Sequence, residues 1–240
     1  FRITDERLGE GSAKTKFGYN IAAIQTLKQI EAEGRQARPD EQEILSRYVG
    51  WGGIPQAFDE ENTQWSEEYR QLKELLTEKE YDAARSSTLN AHYTSPTVIR
   101  AMYDAIEKMG FRTGNVLEPS CGVGNFFGML PDDMSGSRLY GVELDSITGR
   151  IARQLYPDAR ITISGFEKTQ RRDFFDLAIG NVPFGGYKVS DKQFDKYNFL
   201  IHDYFFAKTL EQVRPGGVIA YITSKGTMDK ASPDVRRYIA

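Results

Sequence analysis

Eleven residues constrain this chain more than any others: Val116-Leu117-Glu118-Pro119-Ser120-Cys121-Gly122-Val123-Gly124-Asn125-Phe126. An apolar run enters the stretch, two glycines spaced one apart follow, and a short apolar segment leaves it. That order predicts a strand, a tight loop and the start of a helix. Glycine lets a loop turn back sharply and lets its backbone approach a ligand closely. Alone, such a pair is only a turn at a strand end, but two further stretches add to it. Leu139-Tyr140-Gly141-Val142-Glu143-Leu144-Asp145 predicts a second strand ending in acids. These fall about 20 residues after the loop, the spacing at which α/β folds present a carboxylate to sugar hydroxyls. Asp176-Leu177-Ala178-Ile179-Gly180-Asn181-Val182-Pro183-Phe184 predicts a buried strand that delivers an Asn-x-Pro-aromatic turn to the same sheet edge.

From Asn115 onward strands and helices alternate. Strands are predicted over 116–119, 138–144, 160–164, 176–181 and 218–223, and helices over 146–156 and 198–213, the latter stopped by Pro215-Gly216-Gly217. This alternation implies an α/β fold with a mostly parallel sheet covered on both faces.

On these residues the chain resembles the adenine-N6 DNA methyltransferases that use S-adenosylmethionine. Their first motif, Pro-x-x-Gly-x-Gly-x-Phe, is matched by Pro119, Gly122, Gly124 and Phe126. Their catalytic motif, Asn/Asp-Pro-Pro-aromatic, is matched by Asn181, Pro183 and Phe184, with Val182 standing where the first proline is usual. Their Tyr-Thr-Pro-type element, ahead of the glycine motif, is matched closely by Tyr93-Thr94-Ser95-Pro96. This motif order resembles the gamma arrangement, which also occurs in type I modification subunits. More narrowly, residues 48–58 and Asn181-Val182-Pro183-Phe184-Gly185 look like the methyltransferase region of very large phage and mobile-element proteins that join such a domain to a Swi/Snf-type helicase. That resemblance covers most of the chain from about Lys16 on.

The resemblance implies a Rossmann-like S-adenosylmethionine-dependent methyltransferase sheet with an N-terminal helical extension. The implied partner is double-stranded DNA whose target adenine is flipped out of the stack, in a cytoplasmic restriction-modification or mobile-element setting. The loop from Glu118 through Ser120 to Gly124 would cradle the methionine end of the cofactor, with Tyr93 and Thr94 touching it. Glu143 would accept from the ribose hydroxyls and Leu144 would lie against the adenine. Phe166 and Glu167 would stack on the cofactor's adenine and bond its amino group, or are ordinary loop residues. The Asn181 side chain and the Val182 carbonyl would draw the exocyclic hydrogens of the target out of plane, and Phe184 would stack on the base. The family's sheet usually has seven strands, and five are visible here. The remaining pair is expected beyond Ala240, leaving strand 218–223 as an exposed edge. Two other classes compete. A related class methylates glutamine amides in proteins with Asn-Pro-Pro-Tyr, against which Pro119 and Phe126 argue. A degenerate fold that only positions DNA is the other, and Val182 is the feature that supports it.

Composition sets looser bounds. At 240 residues, 40% hydrophobic and 27% charged, the chain has the length and balance for one full globular domain and a smaller appendage. No apolar run approaches the roughly 18 residues of a membrane span, and no signal peptide is visible. The start at Phe1 and the end at Ala240, inside a helix expected from Ser232-Pro233, predict a segment of a longer protein. One cysteine, Cys121, excludes a disulfide framework and points to a reducing compartment, either as a reactive thiol or as a small residue fitted to a tight loop. Two histidines, His92 and His202, are too few and too far apart for a metal site. The net charge is −3, but residues 1–90 carry 12 basic and 17 acidic side chains against 19 and 17 thereafter, so the second part is the better suited to face phosphates.

The first 90 residues read as a helical extension, and 91–240 as the methyltransferase domain. Residues 1–16 read as an extended lead-in. A helix is expected over 19–33 from Ile21, Ile24 and Leu27, another from Pro39, a third capped by Thr63 and a fourth after Thr77. Between them, Gly50-Trp51-Gly52-Gly53 is either a loop presenting tryptophan to a base or a helix stop in which Trp51 plugs the junction with the catalytic part. Ser86 to Asn90, polar and small, is the expected boundary. A helix capped by Ser95 follows, running to Gly110. The loop 187–197, mixing Lys188, Lys192 and Lys196 with Phe194, reads as a flap closing over DNA or as a mobile surface loop.

Overall fold

A computed structural model describes residues 1–88 and 93–240. Leu89 and Asn90, on which the expected boundary falls, and His92, ahead of the Tyr-Thr-Ser-Pro element, lie outside the described residues. The helices are α1 Ala13–Ala32, α2 Pro39–Ser46, α3 Ser66–Leu75, α4 Glu78–Ser87, α5 Pro96–Lys108, α6 Asn125–Gly128, α7 Ser146–Leu155, α8 Ile201–Gln212, α9 Gly226–Asp229 and α10 Asp234–Ile239. The strands are β1 Asn115–Glu118, β2 Arg138–Glu143, β3 Arg160–Ile163, β4 Phe175–Asn181 and β5 Val213–Ile222. Two compact units share them: residues 1–99, 122–129 and 145–157 form the first, and 100–121, 130–144 and 158–240 the second.

In the first unit, α1 starts six residues before the expected helix because Ser12 caps it, its hydroxyl accepting from the Thr15 N–H. Ile21, Ile24, Leu27 and Ile30 are fully or nearly fully buried along its inner face. α4 follows Thr77 as expected, and Thr77 caps it in a reciprocal box with Glu80. Asn62, not Thr63, caps the short turn leading into α3. Glu80 carries more than that box: Arg150 of α7 at 2.8 Å and Lys28 of α1 at 3.1 Å both bond its carboxylate. Burial opposes its charge, but these donors and the Thr77 backbone outweigh burial and hold its pKa down at about 2. Trp51 is 1% exposed and meets Phe17, Tyr48 and Phe58 edge-on. It is therefore packed inside this unit and is not presented to a base.

In the second unit, all strand pairs are parallel and the order is β3-β2-β1-β4-β5. The chain winds outward from β1 to β3, then returns to lay β4 on β1's other side. The reversal makes the β1–β4 pair the sheet's switch point, and open α/β sheets bind their ligands beyond the carboxyl ends of strands at such a point. β5 is an outer strand, as expected of residues 218–222, but it begins five residues early. Val213 pairs with Phe175 and Val218 with Leu177, so the Pro215-Gly216-Gly217 excursion is a bulge inside the strand, with Gly216 at φ +80°. The core joins Leu117, Val142 and Ala178 of the sheet to Tyr204, Phe205 and Ala207 of α8.

Candidate functional site

The carboxyl edge of the sheet collects the acids and the Asn motif within the second unit. Glu118 ends β1 only 2% exposed, and its Oε2 is buried without a hydrogen-bond partner among the described residues. Burial, and then the charge of Glu143 at the end of β2, push its pKa well above the ordinary carboxyl value. Burial of this kind favours the protonated form, and a neighbouring cation would favour the carboxylate. On the other side, β4 passes so close that a Cβ at Gly180 would stand 3.3 Å from Glu118 Cγ. Gly180, at φ +156°, thus lets the backbone carry Asn181 past the acid. Glu143 is half-buried, while Leu144 beside it is 76% exposed, a large apolar side chain turned to solvent at the strand end.

Cys121 is buried, and its backbone N–H donates to the Val142 carbonyl at 2.9 Å. Burial raises its thiol pKa strongly, and Glu118 and Glu143 add to the rise, so it is a packed residue and not a reactive thiolate. Pro119 is buried and Ser120 half-buried beside it.

After β3 comes the short helical turn Phe166–Lys168. Phe166 is buried and stacks on Phe205 of α8 with centroids 4.9 Å apart. Its ring is thus part of the core, while Glu167 is half-buried at the turn.

In the Asn-x-Pro-Phe turn, Asn181, Pro183 and Phe184 are half-buried, and Val182 is 1% exposed within the core. The Val182 N–H donates to the Ile222 carbonyl at 3.1 Å, continuing the β4–β5 ladder one residue past its paired end. A proline there has no N–H to give. A residue other than proline is therefore what this ladder bond requires. Val182→Pro, which the family pattern alone favours, is expected to destabilise the fold by about 0.5–1.5 kcal/mol from the lost hydrogen bond, more if the Ile222 carbonyl stays buried and unpaired. Thermal unfolding of the variant beside the parent checks this, and equal midpoints would contradict it.

The first unit holds the remaining candidates. Gly124 caps α6 at φ +87°, and a side chain there would strike Tyr156. Gly122 sits at φ +56° with no atom within 4 Å of where a Cβ would stand. Phe126 is buried. Tyr93 lies against Gly9, where a Cβ would meet its ring at 2.5 Å, and its hydroxyl is buried without a partner among the described residues. Thr94 is half-buried next to it.

Sequence reading passed over Asp191, Tyr204 and Lys208. Tyr204 Oη and Lys208 Nζ both donate to Asp191 Oδ2, at 2.7 and 2.8 Å. They anchor the loop 187–198 to α8. The Ile201 N–H donating to the Tyr187 carbonyl at 2.9 Å, and Lys188 Nζ donating to Asn198 Oδ1 at 2.5 Å, hold its two ends. The loop lines a half-open pocket of about 260 Å³ with Lys188, Val189, Phe194 and Asn198. No sequence signal sets Lys208 apart, because α8 also carries His202, Asp203, Glu211 and Gln212. Among the described residues no group of three or more His, Cys, Asp or Glu side chains could hold a metal, and no helix is long and apolar enough to cross a membrane.

No protein-family model matches the chain. Over 209 residues, 85% of this chain, it is 27% identical to the defense against restriction protein B of Escherichia phage P1, of which that stretch covers 8%. Over 79 residues, 32% of this chain, it is 35% identical to the Type II methyltransferase M.CvrRI of Paramecium bursaria Chlorella virus XZ-6E, covering 21% of it. The chain therefore spans under a quarter of the length of either relative. Among solved structures, the type I restriction-modification system methyltransferase subunit from Streptococcus thermophilus superposes with a TM-score of 0.50 at 13% identity, over 92% of this chain and 59% of that one. The fold is accordingly the Rossmann-like α/β fold of the S-adenosylmethionine-dependent methyltransferases.

Proposed function

We propose that this chain binds S-adenosylmethionine and directs its methyl group to the exocyclic amine of adenine in DNA. The observation that carries the reading is the buried, partnerless Oε2 of Glu118 at the sheet's switch point, against the Gly180 backbone that delivers Asn181. The methionine end of the cofactor brings an ammonium, the charge that a buried, protonated carboxyl lacks. Gly122, with no side chain and φ +56°, allows the close approach that the loop from Glu118 to Gly124 needs. Pro119 and Ser120 belong to that loop, and the motif resemblance assigns Gly124, Phe126, Tyr93 and Thr94 to the methionine end as well. Glu143 accepts from the ribose hydroxyls, exposed Leu144 covers one face of the adenine, and Glu167 meets its amino group. Buried Phe166 supports that turn from beneath.

Bound S-adenosylmethionine supplies an electrophilic methyl carried on a sulfonium. The protein's task is to make the adenine amine a nucleophile, because its lone pair is shared with the ring. Asn181 Oδ1 and the Val182 carbonyl accept the two N–H hydrogens and draw them out of plane, so electron density returns to nitrogen with no reorganisation at transfer. Pro183 stiffens the turn and Phe184 stacks on the base, which has left the duplex. Since the second acceptor is main chain, Val182 supplies it as proline would, and its buried side chain and ladder bond argue against degeneracy of the motif.

Similarity to a Type II methyltransferase supports a DNA substrate. A cytoplasmic setting, further domains of a longer chain with a helicase among them, and a role in restriction-modification or its evasion by a mobile element belong to the same proposal. Of these, the match to the defense against restriction protein B of phage P1, covering 8% of it, supports the link to restriction and a longer chain. The deciding experiment is calorimetric titration with S-adenosylmethionine, followed by transfer of labelled methyl groups to DNA of mixed sequence, with adenine N6 identified as the product. Cofactor binding without any DNA labelling would sink the reading. Glu143→Ala is expected to weaken cofactor binding by about 1.5–3 kcal/mol, the scale of hydrogen bonds involving a charged group. Unchanged affinity would remove Glu143 from the site.

A further inference from the structure

We propose that Lys208 is a positioning residue that ties the cofactor's adenine end to the loop 187–198 following the Asn motif. This deepens the reading above, because it takes the turn Phe166–Lys168 as the adenine end. The Lys208 side chain is buried, and its ammonium has two polar partners on two separate elements. It donates to the Glu167 main-chain carbonyl at 3.1 Å and to Asp191 Oδ2 at 2.8 Å. Elsewhere it meets rings: the centroids of Phe166, Phe194 and Tyr204 lie 5.7, 5.9 and 5.9 Å away. A charge so enclosed cannot turn to water when one partner moves, so the partners move with it or the pair is broken at high cost.

Asp191 passes the constraint along the loop. Its Oδ1 accepts from the Gln193 N–H at 3.1 Å and its carbonyl from the Phe194 N–H at 2.8 Å, while its own N–H donates to Asp195 Oδ1 at 2.8 Å. Tyr204 Oη adds a second donor to Oδ2 at 2.7 Å. Burial opposes ionisation of Asp191, but the bonds from Lys208 and Tyr204 outweigh it and keep the carboxylate charged. A ligand that settles against Glu167 fixes the carbonyl that orients Lys208, and through Asp191 it fixes the loop. By reciprocity, a loop closed on DNA tightens the adenine end. The sharing of one buried cation makes the two sites one mechanical element.

The loop provides its own reporter, since Lys188, Lys192 and Lys196 are exposed and open to trypsin. The probe is S-adenosylhomocysteine, which binds without reacting. Saturating amounts are expected to slow cleavage at these lysines about 5-fold or more, the lower end of ordinary coupling between sites. In Lys208→Met and in Asp191→Ala, calorimetry is expected to show the ligand still binding while the protection disappears. A purely structural lysine would change the basal cleavage rate but leave the ligand-dependent ratio intact. Asp191→Ala leaves the buried helix face untouched, so it carries the test if Lys208→Met does not fold. Protection undiminished in Asp191→Ala, or absent in the parent protein with ligand demonstrably bound, overturns the proposal. Absence of ligand binding in the parent overturns the cofactor reading, and this proposal with it.

Discussion

Asn181→Ala is expected to leave S-adenosylmethionine affinity near that of the parent while lowering methyl transfer to DNA roughly a hundredfold or more, the usual effect of deleting one preorganised hydrogen-bonding group. Asn181 ends β4 just past Gly180, at the carboxyl end of the strand that pairs with β1, and it is the side-chain member of the proposed acceptor pair. Its loss removes an interaction that strengthens only as charge develops on the amine. The effect therefore belongs in kcat, with little change in cofactor binding. Phe184→Ala is expected to behave differently. It should weaken capture of the flipped base by about 1–3 kcal/mol, the worth of one base–aromatic stack. Labelled-methyl transfer measured under single-turnover conditions separates the two, and an Asn181→Ala protein with unimpaired transfer would remove the motif from the chemistry.

Glu118→Gln is expected to weaken S-adenosylmethionine binding by about 2–5 kcal/mol, the cost of truncating one partner of a buried, hydrogen-bonded charge pair. Before the ligand binds, the folded protein keeps a proton on Glu118 that the unfolded chain releases at the ordinary carboxyl value. The stability associated with that proton is fully present at acid pH and falls as pH rises toward the raised pKa, because the unfolded state binds fewer protons across that window. Glutamine cannot ionise and escapes the loss. Glu118→Gln should accordingly be more stable than the parent at mildly alkaline pH, with the difference closing at acid pH. Cofactor binding to the parent should release a proton, visible as a binding heat that changes with the ionisation enthalpy of the buffer, and the variant should show none. A variant that binds as tightly as the parent, with the same proton release, would place the methionine ammonium elsewhere.

Local chemistry accounts for what was legible in the chain. Strand and helix periods, the glycine pair, the helix start after Thr77 and the acids ending 116–118 and 138–143 are properties of neighbouring residues, and the α/β class follows from their alternation. Misreadings occurred where a distant partner decides. β5 extends through Pro215-Gly216-Gly217 because Phe175 offers Val213 a ladder partner across the sheet, whereas the early start of α1 rests on a local cap, Ser12 accepting from Thr15, that was passed over. Val182 looked like a departure from a motif; its N–H, bonded to Ile222 40 positions later in the chain, makes a ladder bond that proline cannot make. Phe166 looked available to a ligand until α8 placed Phe205 against it. The raised pKa of Glu118 and the joining of Glu167, Asp191 and Lys208 arise only when segments far apart in the chain exclude water from one another. Burial and proximity across the sheet are properties of packing, and no period or motif in the sequence encodes them position by position.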